Sequence, residues 1–211
     1  MMLGLPASTE IHKQLPKTAL ANKFNLKPDE RRLLDANVSR LELVNQISPQ
    51  TIPALAAGTK VKGIYVLKVA LKVRDYDERV ACLILRLIPQ KVVLCLAFEE
   101  EVQLAVLHEK LLVSPWRSVA TYGDATSLKL EGVDLDAVWL GFKHQIADIV
   151  FEDGIEVSEN TLSQALKKAE EREELRKQIE RLEKAINTEK QPRRKFALHQ
   201  EIQKLRKKFS E

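Results

Sequence analysis

Four residues hold the most direct chemistry this sequence could offer: Glu42, Lys68, Asp75 and Asp77. Carboxylates gathered with a lysine are what a Mg²⁺-dependent nuclease uses. A hard divalent cation needs several converging oxygens, and the metal then polarises the phosphoryl group and its attacking water. Each residue also has a plain structural reading. Glu42 suits the solvent side of a strand, and Lys68 lies on the mixed face of another. Asp75 or Asp77 can cap the helix that follows.

The order of elements is loosely similar to a restriction-endonuclease-like core, which runs helix, three strands, helix, strand. That fold usually places an acid–x–Lys pair on the strand before the second helix. The corresponding run, residues 66–72, supplies Lys68 and Lys72 but no carboxylate. A divergent metal-dependent nuclease, with Mg²⁺ as its cofactor, is therefore the alternative reading. The primary expectation is a non-enzymatic protein without cofactor or bound metal.

Other chemistries lack a signal. No Gly-rich loop precedes a Lys-Ser or Lys-Thr pair, and no dinucleotide fingerprint or nucleophile elbow occurs. His12, His108, His144 and His199 are scattered, each without a partner at ligand spacing. Cys82 and Cys95 form no Cys-x-x-Cys pair. Each sits in an apolar run, as a buried free thiol does.

The remaining candidates are cations. Lys190, Arg193, Arg194 and Lys195 cluster around Pro192, and Lys204, Arg206, Lys207 and Lys208 cluster near residue 211. Against these eight stand Glu189, Glu201 and Glu211, so residues 187–211 carry +5 of a chain total of +4, and the rest of the chain carries −1. A near-neutral body with a basic end points to an acidic partner, either nucleic acid or an acidic protein surface. Phosphate contact would give salt-dependent, sequence-independent binding. The bland alternative is a solvated helix face balancing the acidic run Glu170, Glu171, Glu173 and Glu174, with the two halves partly neutralising each other. Few aromatics accompany the cations, apart from Phe196 and Phe209, which argues against a single-strand stacking platform.

The elements that must position these residues follow from apolar period and punctuation. Leu15, Ala19, Leu20 and Phe24 predict a short helix after Pro16, and Pro28 opens a second that runs to about Ala36. Leu41, Leu43 and Ile47 alternate with polar residues as a half-buried strand does. From residue 61 to 73 every odd position is apolar or Gly, which predicts one long strand. Val80, Leu83, Ile84, Leu87 and Ile88 recur at helical spacing until Pro89. Residues 92–98 then read as a central strand covered on both faces, parallel to its predecessor through a right-handed crossover. Residues 102–113 complete a hairpin. Residues 114–123 read as irregular, 127–130 as a short edge strand, and Asp134 as the cap of a helix bearing Leu135, Val138, Trp139, Phe142, Ile146 and Ile149.

Beyond residue 158 the pattern is helical. Leu175, Ile179, Leu182 and Ile186 repeat at spacings that Leu198, Ile202, Leu205 and Phe209 copy after Pro192. A mid-helix Pro costs about 3 kcal/mol, so the chain turns there. An antiparallel pair buries both stripes, and one kinked helix buried by another chain is the competing picture. The expected fold is α+β: a mixed sheet with a βαβ unit and a hairpin, flanked by helices, over residues 1–158, then a coiled-coil-like helical hairpin over 159–211.

Composition agrees. Apolar residues make up 45% of the 211, enough for a core, and 7 Gly with 8 Pro leave no long flexible tract. No apolar run reaches membrane-spanning length and no secretory core opens the chain, so a cytoplasmic protein with no membrane association is expected.

Three motifs carry a resemblance. They are residues 3–10 (Leu-Gly-Leu-Pro-Ala-Ser-Thr-Glu) with Lys13, Leu15-Pro16-Lys17 and Lys23-Phe24; Ile88-Pro89-Gln90-Lys91; and residues 190–196. Together they resemble a bacterial family catalogued as domain of unknown function 4391, across essentially the whole chain. The resemblance brings no catalytic residues. It implies a prokaryotic accessory protein working beside a helicase or DNA methyltransferase in restriction or phage-defence gene clusters. The basic hairpin would then touch DNA or a partner subunit. A separate alternative, independent of the resemblance, is a structural protein that forms a homo-oligomer through the helical arm.

Overall fold

Prolines set the first two helices. In the computed structural model, which describes residues 3–119, 127–148, 158–189 and 191–210, α1 (Lys17–Lys23) begins directly after Pro16. The next helix, α2 (Pro28–Asn37), has Pro28 in its first turn, where the missing N–H costs nothing. Its start is closed by Glu30, whose carboxylate accepts the Lys27 backbone N–H at 2.8 Å.

Before α1 lies a strand that the sequence pattern does not announce. In β1 (Glu10–Leu15) five of the six residues are exposed, so no apolar alternation marks it. It exists through antiparallel pairing with β2 (Val38–Ile47). A bulge between Glu10 and Lys13 interrupts the register, and there His12 takes a left-handed φ of 54°.

The sheet runs β1-β2-β3-β4-β5-β6, and every pairing but one is antiparallel. β3 (Ile64–Leu71) and β4 (Lys91–Phe98) are parallel, with Leu67 beside Leu94. Helix α3 (Glu78–Leu87) connects them, as the strand–helix–strand pattern predicts. The β3 ladder is shorter than the apolar period from 61 to 73: Val61 is buried outside it and Val73 is exposed.

Three expectations fail between residues 102 and 130. The predicted single strand over 102–113 is two, β5 (Glu101–Leu107) and β6 (Leu111–Val113). They fold into a tight hairpin in which the His108 N–H donates to the Lys110 carbonyl at 2.9 Å. No Gly, Pro or Asn punctuates that turn, so apolar period alone reads straight through it. The predicted edge strand over 127–130 is absent. Leu128 instead donates a single hydrogen bond to the Leu3 carbonyl at 2.9 Å. Part of the stretch read as irregular, residues 114–119, includes a two-residue strand, β7 (Arg117–Ser118), paired to β5. Residues 120–126 lie outside the described residues.

One sheet face packs Leu41, Leu67, Val69, Leu94 and Leu96 against Leu20, Leu34, Val80 and Ile84 of the first three helices. Against β5 and β6 lies α4 (Leu135–Ile146), with Leu135, Val138, Phe142 and Ile146 buried. Asp134 caps it as expected, accepting the Ala137 N–H at 2.9 Å. Ile149 of the predicted stripe lies outside the described residues. In the first turn of α4, the Asp136 carboxylate accepts the backbone N–H groups of Thr59 (2.7 Å), Lys60 (3.2 Å) and Val61 (2.8 Å). The connection between β2 and β3 is thereby folded around a single side chain. These bonds, with that of the Thr59 hydroxyl first, depress the Asp136 pKa to about 2.

The chain divides into two compact units, Met1–Val157 and Ser158–Glu211. The second is a helical pair, α5 (Glu159–Thr188) and α6 (Pro192–Ser210). Arg206 reaches Glu183 at 2.7 Å. Residues that far apart on one continuous helix would stand about 34 Å apart, so α6 folds back along α5 at Pro192. The kinked single helix is thus replaced by the antiparallel pair. Ile186 and Ile202 are buried within it.

Among the described residues no helix is long and apolar enough to cross a membrane. Cys82 and Cys95 are free thiols, the first half-buried and the second buried.

Candidate nucleic-acid and partner interface

The cations of α6 divide by what they touch. Arg193, Arg194 and Lys195 occupy the first turn, Lys204 and Lys207 the last two, and all five are exposed. Arg206 is committed to Glu183. Arg193 and Lys204 are eleven residues apart, about three turns, and Lys207 follows after three more, so these three share one face. Phe196 belongs to it too, three residues from Arg193, and remains 64% exposed. Lys190 lies outside the described residues, as does the side chain of Lys208.

Two acidic residues of α5, Glu173 and Glu180, are engaged with their own helix. Glu173 accepts from Arg176 at 3.0 Å and lies 3.7 Å from Lys177, and Glu180 accepts from Lys184 at 2.9 Å. These are spacings of three and four, the neighbours on a helix surface. The partial neutralisation of α6 by α5 that charge counting suggests does not extend to Arg193, Arg194 or Lys195. Among the described residues their side chains form no ion pair.

In the first unit the residues of the nuclease alternative separate into two groups. Glu42 and Lys68 are direct cross-strand partners on β2 and β3. Glu42 also lies 3.5 Å from His12 Nδ1 and 3.7 Å from Arg40. Asp77 caps α3 and is clamped by Arg79, whose guanidinium and backbone N–H hold its pKa below the usual carboxylate range. Asp75 lies exposed in the connection before it. Among the described residues no three His, Cys, Asp or Glu side chains form a group that could hold a metal ion.

A model of the family described as "Domain of unknown function (DUF4391)" matches residues 3–209. The chain belongs to this family. No curated protein and no solved structure matches.

Two of the motifs that resemble domain of unknown function 4391 have clear positions in the fold. Ile88-Pro89-Gln90-Lys91 ends α3 and starts β4, and the basic run opens α6. Between α1, the starts of β3 and β4, and that first motif lies a cavity of about 440 Å³. Its floor is Leu20, Leu43, Leu67 and Val92. No periodicity marks this cavity, because its walls come from four separate stretches of sequence. His12 beside Glu42 was equally hidden, since β1 has no readable pattern.

Proposed function

We propose that this member of the domain of unknown function 4391 family is a non-enzymatic accessory subunit. Its α/β unit docks on a protein partner and its basic arm contacts nucleic-acid phosphates. The observation that carries the reading is the first turn of α6, where Arg193, Arg194 and Lys195 are exposed and, among the described residues, without an ion pair. Unneutralised guanidinium and ammonium groups on one short segment bind phosphate by releasing counterions, with little regard to base sequence. The family likeness supports a helicase or DNA methyltransferase as partner, in a cytoplasmic restriction or phage-defence system.

The test is fluorescence anisotropy of the full chain on a labelled duplex across a salt series. Arg193→Gln/Arg194→Gln/Lys195→Gln is expected to weaken binding about tenfold at moderate salt and to lower the slope of log affinity against log salt by about three. Equal affinity of the variant and the parent chain at low salt overturns the reading.

A further inference from the structure

We infer that the α/β unit holds a docking trough for an acidic, apolar-anchored peptide segment of a protein partner. This rests on the proposal that the unit docks on another protein, and it gives that docking a place and a chemistry.

The cavity beside α1 does not stand alone. A second, of about 390 Å³, lies against the β2–β3 connection and the start of β4. Tyr65, Pro89 and Gln90 line both, so the two form one continuous trough. Its first half is aliphatic. Its second half is polar and bears Lys60, Lys62 and Lys91. Lys23 stands on the wall of the first half. Among the described residues no Asp or Glu lines either part.

Among the described residues the cations there form no ion pair. Lys62 donates to the Gly58 carbonyl at 2.8 Å, Lys91 lies 5.9 Å from the Trp139 ring, and Lys23 lies 5.4 Å from Phe24. Those contacts orient ammonium groups without cancelling their charge. An apolar floor between cations at both ends suits a chain whose apolar side chains enter the trough while flanking carboxylates meet the lysines. A hydrophobic anchor in a pocket with a charged rim is the usual division of labour at such contacts. A nucleotide fits less well, because the floor is aliphatic and offers a base few hydrogen-bonding groups.

Two variants separate the components. Ala19 lines the trough from an exposed position on α1, so Ala19→Trp fills it without disturbing the core. Lys23→Gln/Lys60→Gln/Lys91→Gln removes charge from both ends. The folded state of each is checked by circular dichroism and thermal midpoint.

The experiment is selection of a random dodecapeptide phage library on the full chain, followed by anisotropy of the synthesised winners. Winners are expected to be net acidic with at least two of Leu, Ile, Phe or Met. The fold-change in affinity is the readout: Ala19→Trp should weaken them at least tenfold, and the lysine variant should do so while flattening their salt dependence. The Arg193, Arg194 and Lys195 variant should bind them unchanged, which keeps this result separate from that of the arm. An unenriched library, winners without acidic residues, or affinity unaffected by Ala19→Trp overturns the inference. So does displacement of the peptides by a single-stranded oligonucleotide. Concentration-dependent self-association abolished by Ala19→Trp would assign the trough to a second copy and overturn it too.

Discussion

Asp136 on α4 holds Thr59 twice, through its backbone N–H and its hydroxyl, each at 2.7 Å. The carboxylate thus anchors the end of the β2–β3 connection with one charge. Its folded-state pKa of about 2 lies below its ordinary value of 3.8. A depressed carboxylate contributes stability that is fully present above the ordinary value and is lost as pH falls through about 2. Acid unfolding followed by circular dichroism should therefore show Asp136→Asn converging on the parent chain as pH falls from 4 to about 2. Near neutral pH the variant should melt several degrees lower.

Gly58 stands where a Cβ would collide with that same carboxylate. Gly58→Ala should lower the thermal midpoint, and Asp136→Ala should lower it too. The double variant should fall only slightly short of the sum: losing the carboxylate relieves part of the clash, but the Asp136 backbone nitrogen still stands 2.7 Å from the new Cβ. Thermal midpoints of the four proteins check this.

Ser114 is buried and accepts the Leu104 N–H at 2.9 Å, while the Gln103 amide donates to the Ser114 carbonyl at 2.8 Å. Tyr76 donates to Gln103 at 2.9 Å and meets the edge of the Trp116 ring. Burial raises the Tyr76 pKa, so its hydroxyl stays a donor across the ordinary pH range. Ser114→Ala leaves the buried Leu104 N–H without its acceptor and should cost about 1–3 kcal/mol, read from urea unfolding.

The βαβ unit and the helical pair were legible in the sequence because Pro89 and Pro192 cut clean apolar periods. Strand β1 was not, since five of its six residues face solvent and only β2 makes it a strand. The break between β5 and β6 was hidden because His108, Glu109 and Lys110 form a turn without the residues that usually mark one. Of the candidate site, the cations of α6 could be read as a run, though not which of them Glu183 engages. The trough could not be read at all, because packing assembles it from residues far apart in the chain.

His12 takes a left-handed φ of 54°, which costs a residue with a Cβ about 1–2 kcal/mol. Its contacts with Glu10 and Glu42 are 3.6 and 3.5 Å and partly exposed, so they return little. His12→Gly should therefore raise stability by about 1 kcal/mol, and His12→Ala should not. Chemical unfolding of both variants distinguishes the backbone effect from the loss of the ring.

Ile186 and Ile202 are 6% and 5% exposed, the most sheltered apolar side chains described where α5 meets α6. Ile202→Ala should weaken the helical pair by about 2 kcal/mol. Hydrogen exchange should show faster turnover of amides in both helices.

The bulge in β1 has a consequence for how the molecule behaves in a crowded solution. A flat, open sheet border templates fibrils, since its free N–H and C=O groups pair with any extended chain. Here one border bends at His12 and bears Glu10, Lys13 and Gln14, while the other is built from strands of three and two residues. Among the described residues neither border offers a straight run long enough for another backbone to zip onto. Such borders disfavour the edge-to-edge pairing from which amyloid-like growth starts.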